Sequence, residues 1–146
     1  MIYYTRSATE TEAVGRLVAE DLDSRGIRRA AIAMRGELGV GKTAFTRGFA
    51  SYFGISGVKS PTYTVVNEYR GTARIFHFDM YRISDADDLY SIGYDEYIES
   101  DGYSVIEWSE NITDLLPDDV ITVTILRDKD DESGRKIEVL YENSGI

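Results

Sequence analysis

Gly36-Glu37-Leu38-Gly39-Val40-Gly41-Lys42-Thr43 matches the pattern G-x-x-x-x-G-K-S/T, and its flanks constrain the fold more than any other stretch of the chain. Upstream, Ala30-Ala31-Ile32-Ala33-Met34 is an apolar run of the kind that forms a buried strand. Downstream, TAFTRGFASYF from Thr43 reads as a helix that Gly54 stops. Strand, glycine-spaced loop and helix in that order predict an α/β fold of the P-loop NTPase type, with a mainly parallel central sheet and flanking helices.

The residue types explain the chemistry. Glycines let consecutive backbone N–H groups curl round phosphate oxygens, and the helix that begins near Lys42 turns its positive dipole end toward them. A side chain at Gly36 or Gly41 would obstruct that turn. Lys42 is a point charge for the β- and γ-phosphates, and the Thr43 hydroxyl is placed to coordinate a Mg²⁺ that bridges them. The stretch Gly36 to Ala44 is therefore the expected nucleotide-contacting segment: Gly36, Glu37, Leu38, Gly39, Val40, Gly41, Lys42, Thr43 and Ala44. No N-K-x-D base-reading motif occurs, so ATP is expected rather than GTP.

Such a site also needs a carboxylate near the metal, at the C-terminal end of a neighbouring strand. Asp79 ends the run Ile75-Phe76-His77-Phe78 and Glu107 ends Tyr103-Ser104-Val105-Ile106, which makes them the two candidates. His77 alternates within its strand and reads as a structural histidine. Arg82 has two readings, a pairing with phosphate or, on at least equal footing, a local salt bridge to Asp79 or Asp85.

The remaining pattern fills in one domain over 1–146. Ser7 and Glu10 have capping-box spacing ahead of Val14, Leu17, Val18 and Leu22, which predicts a first helix over 8–25. Residues 62–70 and 74–79 flank Gly71-Thr72 and predict an antiparallel hairpin. Two short helices are expected over 84–99 around Gly93, then a strand at 103–107 and a short helix ending near Pro117. A second hairpin joins 120–126 to 137–141 across an acidic turn.

Composition narrows the partners. With 16 Lys and Arg against 26 Asp and Glu, the net charge of −10 repels polyanions, so neither direct DNA binding nor unaided tRNA or membrane binding is expected. Basic residues outnumber acidic ones only over 1–76, the half that contains the glycine loop. The absence of Cys removes thiolate chemistry, and the single His removes histidine metal clusters. No signal-peptide pattern and no apolar run long enough for a membrane span is present, which predicts a cytoplasmic protein.

Taken together, GELGVGKTAFTRGFA, SPTYTVVNEY from Ser60, HFDMYR from His77 and VIEW from Val105 resemble the TsaE (YjeE-type) ATPase family, in its order and approximate spacing over residues 7–110. Departures fall at Glu37, Val40, Met80 and Ser109, none of them a residue given a chemical role by the resemblance. The resemblance implies an ATPase that assists a TsaB–TsaD complex in forming the threonylcarbamoyl modification on the tRNA adenosine beside the anticodon. Contact with tRNA would be indirect, because the transfer belongs to TsaD. It further implies that Thr43 and Glu107 are Mg²⁺ ligands or near-ligands, with Asp79 a second acid acting on the metal or on the attacking water. Ser60-Pro61-Thr62 resembles the family's switch-like segment, with Thr62 near the γ-phosphate. Trp108 resembles a residue close to the nucleotide, and Thr11 one near the base.

No arginine finger can be assigned, so hydrolysis by the isolated chain is expected to be slow, since such a finger supplies about 10³–10⁵ in rate. Two other readings share the loop: a small-molecule kinase, which would need an acceptor pocket and an Arg-rich lid, and a passive ATP-binding switch.

Overall fold

The computed structural model describes residues 1–59 and 65–141. In chain order the elements are β1 (Ile2–Thr5), α1 (Ala8–Ser24), β2 (Arg29–Arg35), α2 (Lys42–Tyr52), β3 (Val66–Arg70), β4 (Arg74–Asp79), α3 (Ala86–Ser91) and α4 (Tyr94–Glu99). They are followed by β5 (Gly102–Glu107), a 3₁₀ segment (Ser109–Leu115), β6 (Ile121–Arg127) and β7 (Arg135–Tyr141). The strands form one sheet in the order β1-β7-β6-β2-β5-β4-β3.

The middle of the sheet is parallel: β2 lies between β6 and β5, and β4 follows on β5. Both margins are antiparallel, β3 on β4 at one side and β7 with β1 at the other. The two hairpins expected from sequence are these margins. Strand β1 had no such signal. It has four residues, two of them exposed, and exists by pairing with β7. Of the hairpin's first arm, residues 62–64 lie outside the described residues, and β3 begins at Val66.

Burial explains the central run. With a strand on each side and helices on both faces, Ile32, Ala33 and Met34 have no solvent exposure, so the sequence there is apolar without alternation. Helices α1 and α2 cover one face, where Val18, Leu22, Phe45 and Phe49 pack on Ile32, Met34, Val105 and Val123. Helices α3 and α4 and the 3₁₀ segment cover the other, where Leu89, Tyr94 and Ile112 meet Ala33, Phe76, Phe78 and Ile106.

Local capping fixes the helix starts. Ser7 Oγ accepts from the Glu10 amide at 3.1 Å, while Glu10 Oε1 reaches back to the Arg6 amide at 2.8 Å, one residue before the expected partner. Asp85 Oδ1 caps α3 through the Asp88 amide at 3.0 Å, and Gly93, at φ +76°, separates α3 from α4. Among the described residues no helix is long and apolar enough to cross a membrane.

Candidate nucleotide site

Because β2, β4 and β5 run parallel, their C-terminal ends open on the same edge of the sheet, and the residues that follow them meet there. The loop from Gly36 to Gly41 leaves β2 at that edge and enters α2. It turns through three glycines with positive φ: +147° at Gly36, +75° at Gly39 and +121° at Gly41. At Gly36 a Cβ would lie 2.7 Å from the Ile125 carbonyl oxygen and 2.8 Å from Val40 Cγ1, so a side chain is excluded by space as well as by backbone angle. Gly41 is the N-cap of α2 and offers no side chain to its first turn; the Phe45 amide closes the first backbone bond, to Gly41 O at 3.0 Å. A helix start of that kind presents N–H groups to an anion.

The loop is held from the antiparallel margin. Arg135 of β7 donates from Nε to Val40 O at 2.8 Å and from Nη1 to the carbonyls of Glu132 and Gly134 at 2.9 and 2.8 Å. At the loop's tip Arg127 donates to Leu38 O at 3.2 Å and lies 3.4 Å from the Glu37 carboxylate. One guanidinium thus ties the loop to the β6–β7 turn, and a more exposed one steadies its outer limb.

Lys42 is 6% exposed, an unusual burial for an ammonium, and donates from Nζ to Gly36 O at 2.9 Å. Its Nζ also stands 5.1 Å from the centroid of the Trp108 ring, within cation–π range. Trp108 takes φ +58°, the left-handed region, directly after β5, and its ring leans on Tyr81 at 5.0 Å. It therefore lies beside Lys42, at the end of the loop that enters α2. Thr43 follows in the first turn of α2, half-buried. Arg35, the last residue of β2, has a buried Nε without an acceptor among the described residues.

The two acids occupy equivalent register positions, Asp79 on β4 opposite Glu107 on β5, but different surroundings. Glu107 is 7% exposed and shares a 2.6 Å hydrogen bond through Oε2 with His77 Nε2, whose ring is fully buried. Asp79 is half-buried and accepts the Tyr81 amide on Oδ1 at 3.0 Å. The pairing of His77 with Glu107 was not foreseen. Strand alternation places the histidine on the α1–α2 face, but only the register of two strands distant in sequence brings Glu107 to it. Of the two readings of Arg82, the local salt bridge is not formed among the described residues: Asp79 and Asp85 accept instead from the Tyr81 and Asp88 amides.

A cavity of about 350 Å³ lies on the other side of the loop. Gly39, Val40, Gly41 and Ala44 form one wall; Arg6, Ser7, Ala8 and Thr11 at the start of α1 form a second; Glu132, Ser133 and Arg135 form the third. Thr11 is 2% exposed overall and shares a 2.9 Å hydrogen bond with Thr5 Oγ1. The wall from the β6–β7 turn had no sequence signal, since nothing local to Glu132-Ser133-Gly134-Arg135 predicts contact with residues some ninety positions earlier. Thr62, with Ser60 and Pro61, lies outside the described residues.

Among the described residues no three His, Asp or Glu side chains are grouped to hold a metal unaided. The oxygen donors present, the Thr43 hydroxyl and the carboxylates of Asp79 and Glu107, suit Mg²⁺, which keeps waters and draws further ligands from phosphates.

Comparison with known proteins gives a consistent result. The family model described as threonylcarbamoyl adenosine biosynthesis protein TsaE matches residues 5–137. The tRNA threonylcarbamoyladenosine biosynthesis protein TsaE of Bacillus subtilis is 35% identical over 147 residues, spanning 94% of this chain and 89% of the relative. The protein of the same description from Haemophilus influenzae is 41% identical over 115 residues, 77% of this chain and 71% of its own. The crystal structure of Bacillus subtilis YdiB superposes with a TM-score of 0.78 at 28% identity, covering 99% of this chain and 86% of that one.

Proposed function

The chain belongs to the TsaE family of threonylcarbamoyladenosine biosynthesis proteins, and on that premise we propose that it binds Mg²⁺-ATP on the loop 36–43 and hydrolyses it in support of a TsaB–TsaD complex. The reading rests on one observation above the others. A glycine loop that enters α2 with a buried, inward-turned Lys42 opens on the same sheet edge as a buried and a half-exposed carboxylate.

Each residue then has a role. The amides at the start of α2 and the Lys42 ammonium bind the phosphates, with Lys42 exchanging Gly36 O for phosphate oxygens. Thr43 and Glu107 would hold Mg²⁺, which would supply charge neutralisation for the phosphoryl oxygens. Glu107 keeps Oε2 on His77, which leaves Oε1 for the metal, and Asp79, nearer solvent, would orient the attacking water. The cavity between Thr11 and the β6–β7 turn takes the nucleoside. Trp108 screens Lys42 from solvent, which strengthens its attraction for phosphate.

Hydrolysis of Mg²⁺-ATP by the purified chain, alone and with TsaB–TsaD, tests the proposal, with Lys42→Ala as the blank. Slow turnover alone, a rise with the complex and loss of both in Lys42→Ala are expected. Fast turnover indifferent to the complex would overturn the assisting role, and nucleotide binding with no turnover under either condition would leave a passive switch.

A further inference from the structure

We infer that His77 is a positioning residue that holds Glu107 for Mg²⁺; this rests on the metal-dependent reading of the same site but concerns a residue to which that reading gives no role. Three observations converge. The His77 ring is fully buried in β4, Glu107 Oε2 lies 2.6 Å from its Nε2, and His77 Nδ1 is buried without a partner among the described residues.

The bond has a direction. A carboxylate that is to ligate a metal has no proton to give, so Nε2–H donates and Glu107 accepts. A buried nitrogen lone pair without a partner also costs less than a buried N–H without one, which again assigns the proton to Nε2. The ring is fully buried, with Val105 its register neighbour on β5, and burial restricts its freedom to turn.

The consequence for Glu107 is geometric. At the end of a strand a free carboxylate samples several rotamers, of which a metal needs one. Fixing Oε2 on His77 holds the carboxyl plane and leaves Oε1 as the ligating oxygen. It also gives a carboxylate that is 7% exposed a charge-assisted bond, without which its burial would be costly. An imidazole used in this way sits behind the ligand, and it does not itself meet metal or nucleotide.

The chain has a single His and a single Trp, so signals from the His77 ring and from Trp108, the residue next to Glu107, can be read without ambiguity. Long-range ¹H–¹⁵N spectra of the nucleotide-free protein should show the ring proton on Nε2; a proton on Nδ1 overturns the proposal whatever the variants do. Titration of Mg²⁺ against the protein with ADP, followed by Trp108 fluorescence, gives the second readout. His77→Leu should raise the Mg²⁺ needed for half-saturation about tenfold and lower kcat by at least as much, with the nucleotide affinity in EDTA unchanged. His77→Gln, whose amide can donate from nearly the same position, should fall within about threefold of wild type. A His77→Leu protein with wild-type Mg²⁺ dependence, or a folded His77→Gln protein no better than His77→Leu, overturns the inference. If wild type binds Mg²⁺-ADP yet hydrolyses no ATP, the hydrolase reading fails while the Mg²⁺ titration still decides the role of His77.

Discussion

Helices α1 and α2 touch through glycine, and Gly48→Ala should separate them. A Cβ built at Gly48 lies 1.8 Å from the Glu12 carbonyl oxygen, and one at Gly15 lies 2.1 Å from Phe45 O. Contact distances for such atoms are about 3.5 Å, so at Gly48 the backbones must part by about 1.7 Å. No side chain can rotate away, because both obstacles are main chain. Alanine in a helix interior gains about 1 kcal/mol over glycine, whereas overpacking costs about 1–3 kcal/mol, and a backbone obstacle between two core helices belongs at or above the top of that range. The net loss is about 2 kcal/mol. With an unfolding entropy of about 2.1 cal/mol/K per residue, a chain of 146 residues loses about 6 °C in Tm. Thermal melts followed by circular dichroism, with urea midpoints at constant m-value, give the measurement. Gly15→Ala combined with Gly48→Ala should cost less than the two added, since one separation relieves both contacts. Since α2 begins at Lys42, nucleotide affinity should fall as well. A Gly48→Ala protein as stable as wild type would refute the reasoning.

Two further outcomes follow from other parts of the structure. Burial pushes the Tyr94 phenol up to about 12, and burial with the Asp21 carboxylate does the same for Tyr141. The folded chain therefore keeps these protons where the unfolded chain, near the ordinary value of about 10, releases them. Their contribution to stability is complete below pH about 10 and declines from there to about 12. Urea midpoints across pH 8–11.5 should show that decline, and Tyr94→Phe with Tyr141→Phe should flatten it; an unchanged slope in the double variant would count against the burial argument. Arg135→Met removes the donor to Val40 O, and a hydrogen bond from a charged group is worth about 1.5–3 kcal/mol, so the variant should lose about that much stability. Its nucleotide affinity should fall about tenfold with kcat at saturation kept, and equal affinity in the two proteins would show that Arg135 does not shape the loop.

What the sequence made legible was whatever is encoded locally. The order strand, loop, helix around Gly36–Thr43 is written in consecutive residues, as are the Ser7 cap and the break at Gly93. The acids Asp79 and Glu107 could be found because each ends an apolar run. Strand β1 was illegible because four residues, two of them exposed, are too few to carry a period of their own and take their conformation from β7. The His77–Glu107 bond, the hold of Arg135 on Val40 and the third wall of the cavity are all products of register between distant segments, which no window of sequence contains.

The same division separates the tasks within the site. Lys42 and Thr43 open α2 at the end of the loop that leaves β2, and Asp79 and Glu107 end β4 and β5, so all four stand at the C-terminal edge of the parallel strands at the centre of the sheet. The cavity on the far side of the loop is walled by the start of α1 and the β6–β7 turn, elements at the antiparallel margin with solvent on one side. A displaced marginal wall changes how tightly a nucleoside is held without altering the loop's relation to Glu107. A displaced central strand moves both acids against Lys42 at once. Substitutions at Arg6, Thr11 or Ser133 should therefore act on KM, and substitutions in the core at Ile32, Met34 or Val105 on kcat, because the first three line the marginal cavity and the last three are buried in the central strands.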